Sequence, residues 1–154
     1  MKAKAESVMT KDPACCTPLT SLREVSQMMV AHDCGSIPVV ESKESKKLVG
    51  IITDRDIVCR SVAQNKNPLE LTAGDCMSNP VVTGEPGTSL EDCCNLMEDN
   101  QVRRIPIVDE NGSCCGVVTQ AHIAHHAKVQ DVAQVLKDVS QKTEGSSSVA
   151  TAIR

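Results

Sequence analysis

The 154-residue chain has no phenylalanine, tyrosine or tryptophan. Its core must come from Val, Ile, Leu, Met, Ala and Cys, and a hydrophobic share of 40% is enough for one. Holding unpaired bases by stacking on aromatic side chains is excluded, and a ring-shaped ligand has to lie between aliphatic side chains and backbone. Strong positive charge is missing too. The formal net charge is −4 and no long basic cluster occurs, which argues against a nucleic acid partner. No apolar run approaches the length of a membrane span, so no membrane partner is expected. The opening MKAKAESVMT lacks the apolar stretch of a secretory signal, and a cytoplasmic location follows as the expectation.

Cysteine, by contrast, is abundant, with nine at positions 15, 16, 34, 59, 76, 93, 94, 114 and 115. An odd number without a secretory signal fits free thiols in a reducing compartment. Several stand where valine would serve: PACCT matches PVVT, and SCCGVVT reads as a strand leading into its glycine. Free cysteine packs as a small apolar residue, so core filling accounts for most of them.

The dominant positive signal is repetition. Met9 recurs as Met77, Thr20-Ser21-Leu22 as Thr88-Ser89-Leu90, and Ile37-Pro38-Val39-Val40 as Ile105-Pro106-Ile107-Val108. GIITDRDI at 50–57 returns as GVVTQAHI at 116–123, with Asp56 replaced by His122. The period of 68 falls to 66 after the second strand, because ESKESKK makes a longer turn than DENGS. Each copy predicts a short extended piece (14–17; 81–83), then a helix with capping-box spacing at Ser21/Glu24 and Thr88/Glu91. Two strands joined by a polar turn follow, 37–40 to 48–52 and 105–108 to 114–118. Thr53 and Thr119 are placed to cap a final helix. The fold class is α+β, with β-α-β-β-α written twice. Copies of this size bury too little surface alone, so two pseudo-twofold-related repeats packed sheet to sheet are expected. Residues 1–65 form repeat 1, 66–75 a connector, 76–140 repeat 2 and 141–154 a flexible tail.

An M-[TS]-x-x-P entry, an h-P-V-V strand and a G-h-h-T-x-x-D strand end, in this order and duplicated over roughly residues 5–126, resemble the CBS domain. The tandem arrangement resembles the Bateman module. The resemblance implies a stand-alone regulatory protein that is not an enzyme. It implies an adenosine-containing ligand (AMP, ADP, ATP or S-adenosylmethionine) in the cleft between the repeats, with no cofactor required. A homodimer joined through helices and an effector protein of unknown identity are further implications. The family's signature residues fall on Thr53 and Asp56.

The residues suit that chemistry. A carboxylate only accepts hydrogen bonds, so the two oxygens of Asp56 can take two vicinal ribose hydroxyls. The N-terminus of the helix after Thr53 offers unpaired N–H groups to a phosphate, and Arg55 adds charge. By the family's arrangement Arg103 and Arg104 face the Thr53/Asp56 motif and suit phosphate bidentately, while Val102, Ile51 and Pro80 flank the adenine. A second site would combine Thr119 and His122 with Gly35 and Ser36. It lacks both the acid and the arginines, so weak binding or none is expected. Asp56 is taken as dispensable for folding, which would allow its loss in the second copy.

The competing reading is a thiol-based redox or metal-responsive protein. His122 and His126 have i,i+4 spacing, with His125 between them, but there is no HExxH and no CxxC. No cysteine sits in a recognisable nucleophile context, so neither a catalytic residue nor a metal ligand is assigned.

Overall fold

The computed structural model describes residues 3–79, 81–126 and 129–141; the tail from 142 lies outside them. In chain order the elements are α1 (Ala5–Val8), β1 (Thr10–Lys11), α2 (Leu22–His32), β2 (Ser36–Val40), β3 (Leu48–Thr53), α3 (Asp54–Arg60), α4 (Ala73–Cys76), α5 (Leu90–Asn100), β4 (Arg104–Val108), β5 (Cys114–Thr119), α6 (Gln120–His126) and α7 (Val129–Val139).

The two long helices that open the repeats start and stop for the same local reasons. At α2 the Ser21 side chain accepts the Glu24 N–H, satisfying one of the donors that a helix start leaves unpaired. Leu22, Val25 and Met29 are buried along one face. Asp33, in left-handed conformation with φ 49°, ends the helix and donates its N–H to Met29 and Val30. At α5 the cap is Ser89, accepting from Asp92, and Gln101 ends the helix at φ 53°. The spacing Thr88/Glu91 is therefore not the capping pair. The Thr88 hydroxyl instead accepts the Glu85 N–H at 2.8 Å, in the turn before the helix.

Each repeat then forms an antiparallel hairpin. β2 pairs with β3 through Ser36↔Thr53, and β4 pairs with β5 through Arg104↔Thr119; both ladders carry a register shift near the turn, at Val39/Val40 and Ile107/Val108. Most residues of these strands are buried on both faces, which is why the runs are continuously apolar rather than alternating. The short extended pieces contribute single parallel bridges, Cys16↔Val39 and Gly84↔Ile107, rather than strands. In the second copy the bridging residue is Gly84, one position beyond the stretch expected.

The compact units do not follow the repeat boundaries. One unit runs from Ala14 to Val81, and the other joins the residues up to Pro13 to those from Val82 onward. Each hairpin is completed by the segment that leads into the other copy. Ala73 donates its N–H to Thr20, and Leu22 donates to Leu71. The same two bonds recur as Ala5 to Thr88 and Leu90 to Ala3. Residues 66–75, expected as a connector, thus hold most of a packed element, α4, whose Ala73 and, just beyond the stretch, Cys76 belong to the core with Cys16, Leu22, Val25, Ile37 and Ile52. In the other unit β1 extends the hairpin to the order β1-β5-β4.

A methionine fixes each lead-in. Met77 lies over Gly50 and Met9 over Gly116; a Cβ on Gly50 would stand 2.7 Å from Met77 Sδ and 3.0 Å from the Ser78 carbonyl. Gly50→Ala should therefore destabilise the protein by about 1–3 kcal/mol through overpacking, although glycine is itself unfavourable within a strand. Urea unfolding of Gly50→Ala, Met77→Ala and the double variant checks the cause. The double variant should lose less than the sum of the single losses, and strictly additive losses would remove the methionine contact as the explanation.

Candidate functional site

β3 delivers Thr53 to the start of α3, and the first turn of that helix closes on itself. The Thr53 N–H donates to Asp56 Oδ2 at 2.9 Å, and the Asp56 N–H donates to Thr53 Oγ1 at 3.0 Å. This is a reciprocal capping box, so Asp56 has a folding role, contrary to the expectation that the fold can do without it. One carboxylate oxygen is committed to this box. The other, Oδ1, is buried and has no hydrogen-bond partner among the described residues. A ligand would meet one free acceptor here, not two.

The helix terminus is also less open than expected. The Asp54 N–H donates to the Gly35 carbonyl at 3.0 Å, and the Arg55 N–H donates to Asp54 Oδ1 at 2.8 Å. With the Asp56 N–H bound to Thr53, the first three N–H groups of α3 are all engaged. The expectation that they are available to a phosphate is not met, because the short side chains of Thr53 and Asp54 reach them first. Arg55 itself is exposed.

The structure sorts the remaining expected residues by unit. Gly35 and Ser36 stand beside Thr53, since Ser36 pairs with it across the hairpin. Arg104 pairs with Thr119, and Arg103 accepts the Gln120 N–H on its carbonyl, so both arginines stand at the start of α6 with His122. Ile51 is fully buried. Val102 is 3% exposed and its N–H is bonded to the Met97 carbonyl, which leaves it as a helix-ending residue. Pro80 lies outside the described residues.

Two residues that sequence reasoning missed surround Asp56. Ser78 forms a backbone bridge with Ile51, its N–H 2.8 Å from the Ile51 carbonyl and its carbonyl 3.0 Å from the Ile51 N–H. Its hydroxyl is likewise buried without a hydrogen-bond partner among the described residues. Arg60 donates through Nη1 to the carbonyls of Cys76 (3.1 Å) and Met77 (2.7 Å), tying the Ser78 segment to α3. The available signal was the hydroxyl residue that follows Met in the M-[TS]-x-x-P motif.

A CBS domain family model matches residues 5–62 and 73–129. The chain belongs to the CBS domain family. It is 37% identical over 122 residues to the CBS domain-containing protein YhcV of Bacillus subtilis, covering 79% of this chain and 84% of that protein. An uncharacterized protein of Methanopyrus kandleri is 40% identical over 116 residues, 75% of this chain, and the match spans only 58% of that protein's length. Among solved structures, Hypoxic Response Protein I with two coordinated zinc ions, a protein known from Mycobacterium tuberculosis, has 32% identity and a TM-score of 0.73, covering 82% of this chain and all of that one. The CBS domain pair of MJ0100 in complex with 5′-methylthioadenosine and S-adenosyl-L-methionine has 25% identity and a TM-score of 0.71, covering 81% and 95%.

The two CBS repeats solve the same capping problem with different chemistry. In the second, the Thr119 N–H donates to His122 Nδ1 at 3.0 Å, and the Thr119 hydroxyl lies 3.2 Å from the same nitrogen. His122 therefore takes over the structural half of the Asp56 role. It does so only while Nδ1 is unprotonated. Burial, then the neighbouring His126 and His125, hold the His122 imidazole below its ordinary 6.5. Burial acts on Asp56 in the opposite direction and raises its carboxyl from 3.8 to about 6, against the pull of the Thr53 N–H and hydroxyl, Arg60 and Ser78.

The cysteines are free, and five of the nine are buried. Burial pushes Cys16 up to about 12 and Cys93 up to about 11. These thiols are poor nucleophiles, because the thiolate is the reactive form. Among the described residues no three His, Cys, Asp or Glu side chains are grouped to hold a metal ion, and no helix is long and apolar enough to cross a membrane.

The two caps give stability opposite dependences on pH. The His122 contribution is full above pH 6.5 and lost as pH falls through its lowered folded value. The Asp56 contribution is full below pH 3.8 and lost as pH rises through about 6. Equilibrium unfolding between pH 4 and 8 tests both. Asp56→Asn should flatten the loss between pH 4 and 6. His122→Ala should cost about 1 kcal/mol at pH 7.5, and less as pH falls below 6.5 and through the lowered folded value; a cost that stays constant down to pH 4 would exclude Nδ1 as the acceptor that matters.

Proposed function

We propose that this CBS pair is a non-enzymatic regulatory module that binds one adenosine-containing small molecule with its ribose at Asp56. The observation that carries the reading is the buried Oδ1 at the position of the family signature, an ionisable acceptor for which no hydrogen bond meets ordinary geometry among the described residues. Leaving such an atom unpaired costs roughly 1–3 kcal/mol or more, and a ribose hydroxyl donating to it would remove the penalty. The MJ0100 pair in complex with 5′-methylthioadenosine and S-adenosyl-L-methionine supports this ligand class. Because the N–H groups of α3 are engaged, charge complementarity for AMP, ADP or ATP falls, within this unit, to Arg55. The Thr119/His122 position offers an imidazole already used in capping and is expected to bind weakly or not at all. Output passes to an effector protein. Exposed apolar side chains on and beside α2 and α3, among them Val30, Val58, Val62 and Leu69, suit the homodimer that the family resemblance implies.

The zinc ions in Hypoxic Response Protein I favour a metal-responsive alternative. It has the weaker support, since the described residues group no three candidate ligands.

Titration calorimetry with AMP, ATP, 5′-methylthioadenosine and S-adenosylmethionine decides between them. At least one should bind at one site per chain, and Asp56→Ala should weaken it at least about tenfold, the worth of a hydrogen bond to a charged group. Binding should be tighter at pH 7.5 than at pH 5, because a donating hydroxyl requires the ionised Asp56 and protonation near 6 competes with it. No binding by any of the four, or equal binding by Asp56→Ala, would overturn the reading; saturable zinc binding in its place would establish the alternative.

A further inference from the structure

We propose that the groove between α2 and α3 of the first repeat docks an amphipathic helix of the effector protein, one with aliphatic residues at i, i+3, i+4 and i+7 and a net negative charge. The proposal names the recognition element of that effector and uses no part of the ribose site, so the two readings can fail separately. The groove has a volume of about 560 Å³ and is lined by Leu22, Ser26, Val30, Ile57 and Leu69, with Arg23 as its one charged lining residue among the described residues. Val30 is 84% exposed and Leu69 71%. Aliphatic side chains gathered at a concave surface and left in water mark an interaction site. After α3 the chain makes 3-10 turns at Val62–Gln64 and Pro68–Glu70 and passes on to α4 without covering the groove.

The second repeat shows what fits such a face. There α7 packs against α5 and α6, the counterparts of α2 and α3. Cys94 and Ile123 are buried, whereas their counterparts in the first repeat, Ser26 and Ile57, are exposed and half-buried. Ile123 lines a seam with Val132, Val135 and Leu136, and Val135 and Val139 are buried. Positions 132, 135, 136 and 139 are the i, i+3, i+4, i+7 anchors by which a helix enters an apolar groove. The first repeat differs in charge. Where α2 has Arg23 and Val30, α5 has Glu91 and Glu98, so the α2 groove favours an acidic occupant. A second copy of the chain would present the same concave face rather than a ridge. Val58 and Val62, exposed outside the groove, remain for the homodimer.

The probe is a peptide of residues 129–141 with capped ends and Ala133→Glu joined to Lys137 by a lactam. The lactam offsets the poor helicity of so short a peptide and leaves Asp131 and Asp138 as its charges. Fluorescence anisotropy on the full chain should show saturable binding of one peptide per chain. Val30→Glu and Leu69→Glu should each weaken it at least about tenfold, because each puts a charge into the apolar contact. Both positions are exposed, and Glu98 already stands at the Val30 position of α5, so both variants should keep the wild-type melting temperature. Arg23→Glu should weaken the peptide about threefold at low salt and less at high salt. Val62→Glu, outside the groove, should leave it within about twofold. No saturable binding would overturn the proposal. So would binding that Val30→Glu leaves intact, which would put the peptide on α5 and α6 in place of α7. A dimer that excludes the peptide and that Val30→Glu dissociates, read by analytical ultracentrifugation, would overturn it in favour of a second copy. No nucleotide enters the measurement, so the calorimetry above decides the ribose reading on its own.

Discussion

A methionine can lie flat across a strand only where the strand has no side chain, and that constraint organises this protein. Gly50 and Gly116 open the G-h-h-T segments of β3 and β5, and each receives a methionine from the segment leading into the other repeat. The contact brings backbone with it: Ser78 bridges to Ile51, and Thr10 to Val117. Neither hairpin is complete with only the residues of its own repeat, because the pairings of Ser78 with Ile51 and of Thr10 with Val117 come from the other copy's lead-in. The duplication is therefore an obligate exchange, and it sets which hydroxyl stands beside which acid.

The helix caps carry the second half of the logic. Thr53 and Thr119 both need an acceptor three residues on to satisfy an N–H that is buried in the first and part-buried in the second, and Asp56 and His122 each supply one. A carboxylate has an oxygen to spare after capping, whereas the capping nitrogen of imidazole has nothing further to offer a donor. The substitution that looks like the loss of a binding residue is, in folding terms, a conservative exchange of one acceptor for another. What it removes is the surplus acceptor. The asymmetry between the repeats is thus a difference in leftover hydrogen-bonding capacity, which the protein can sustain because the structural role is met on both sides.

Much of this was legible beforehand. The repeat, the hairpins and the capping threonines all follow from short-range pattern, and local hydrogen bonding decides them. The misreadings share one cause. Thr88 in place of Ser89, the helix N–H groups left for a phosphate, and Asp56 considered apart from the fold all came from counting groups without knowing their partners. Asp54 takes the Arg55 N–H at 2.8 Å and Thr53 the Asp56 N–H at 3.0 Å, and sequence spacing does not report that these side chains reach the N–H groups before a ligand can. Ser78 and Arg60 were invisible for a longer-range reason, since their partners lie 16 to 27 positions away along the chain.

The sequence by itself determined the family, the two β-α-β-β-α units and the difference between Asp56 and His122, because periodicity, caps and side-chain chemistry are local properties. The tertiary structure decided which repeat's lead-in completes which hairpin, which oxygen of Asp56 is left over, and that a serine from the second repeat's motif meets an acid of the first. Those outcomes depend on burial and on the backbone pairing of distant segments. Only packing settles them, because in the unfolded chain every one of these groups is satisfied by water.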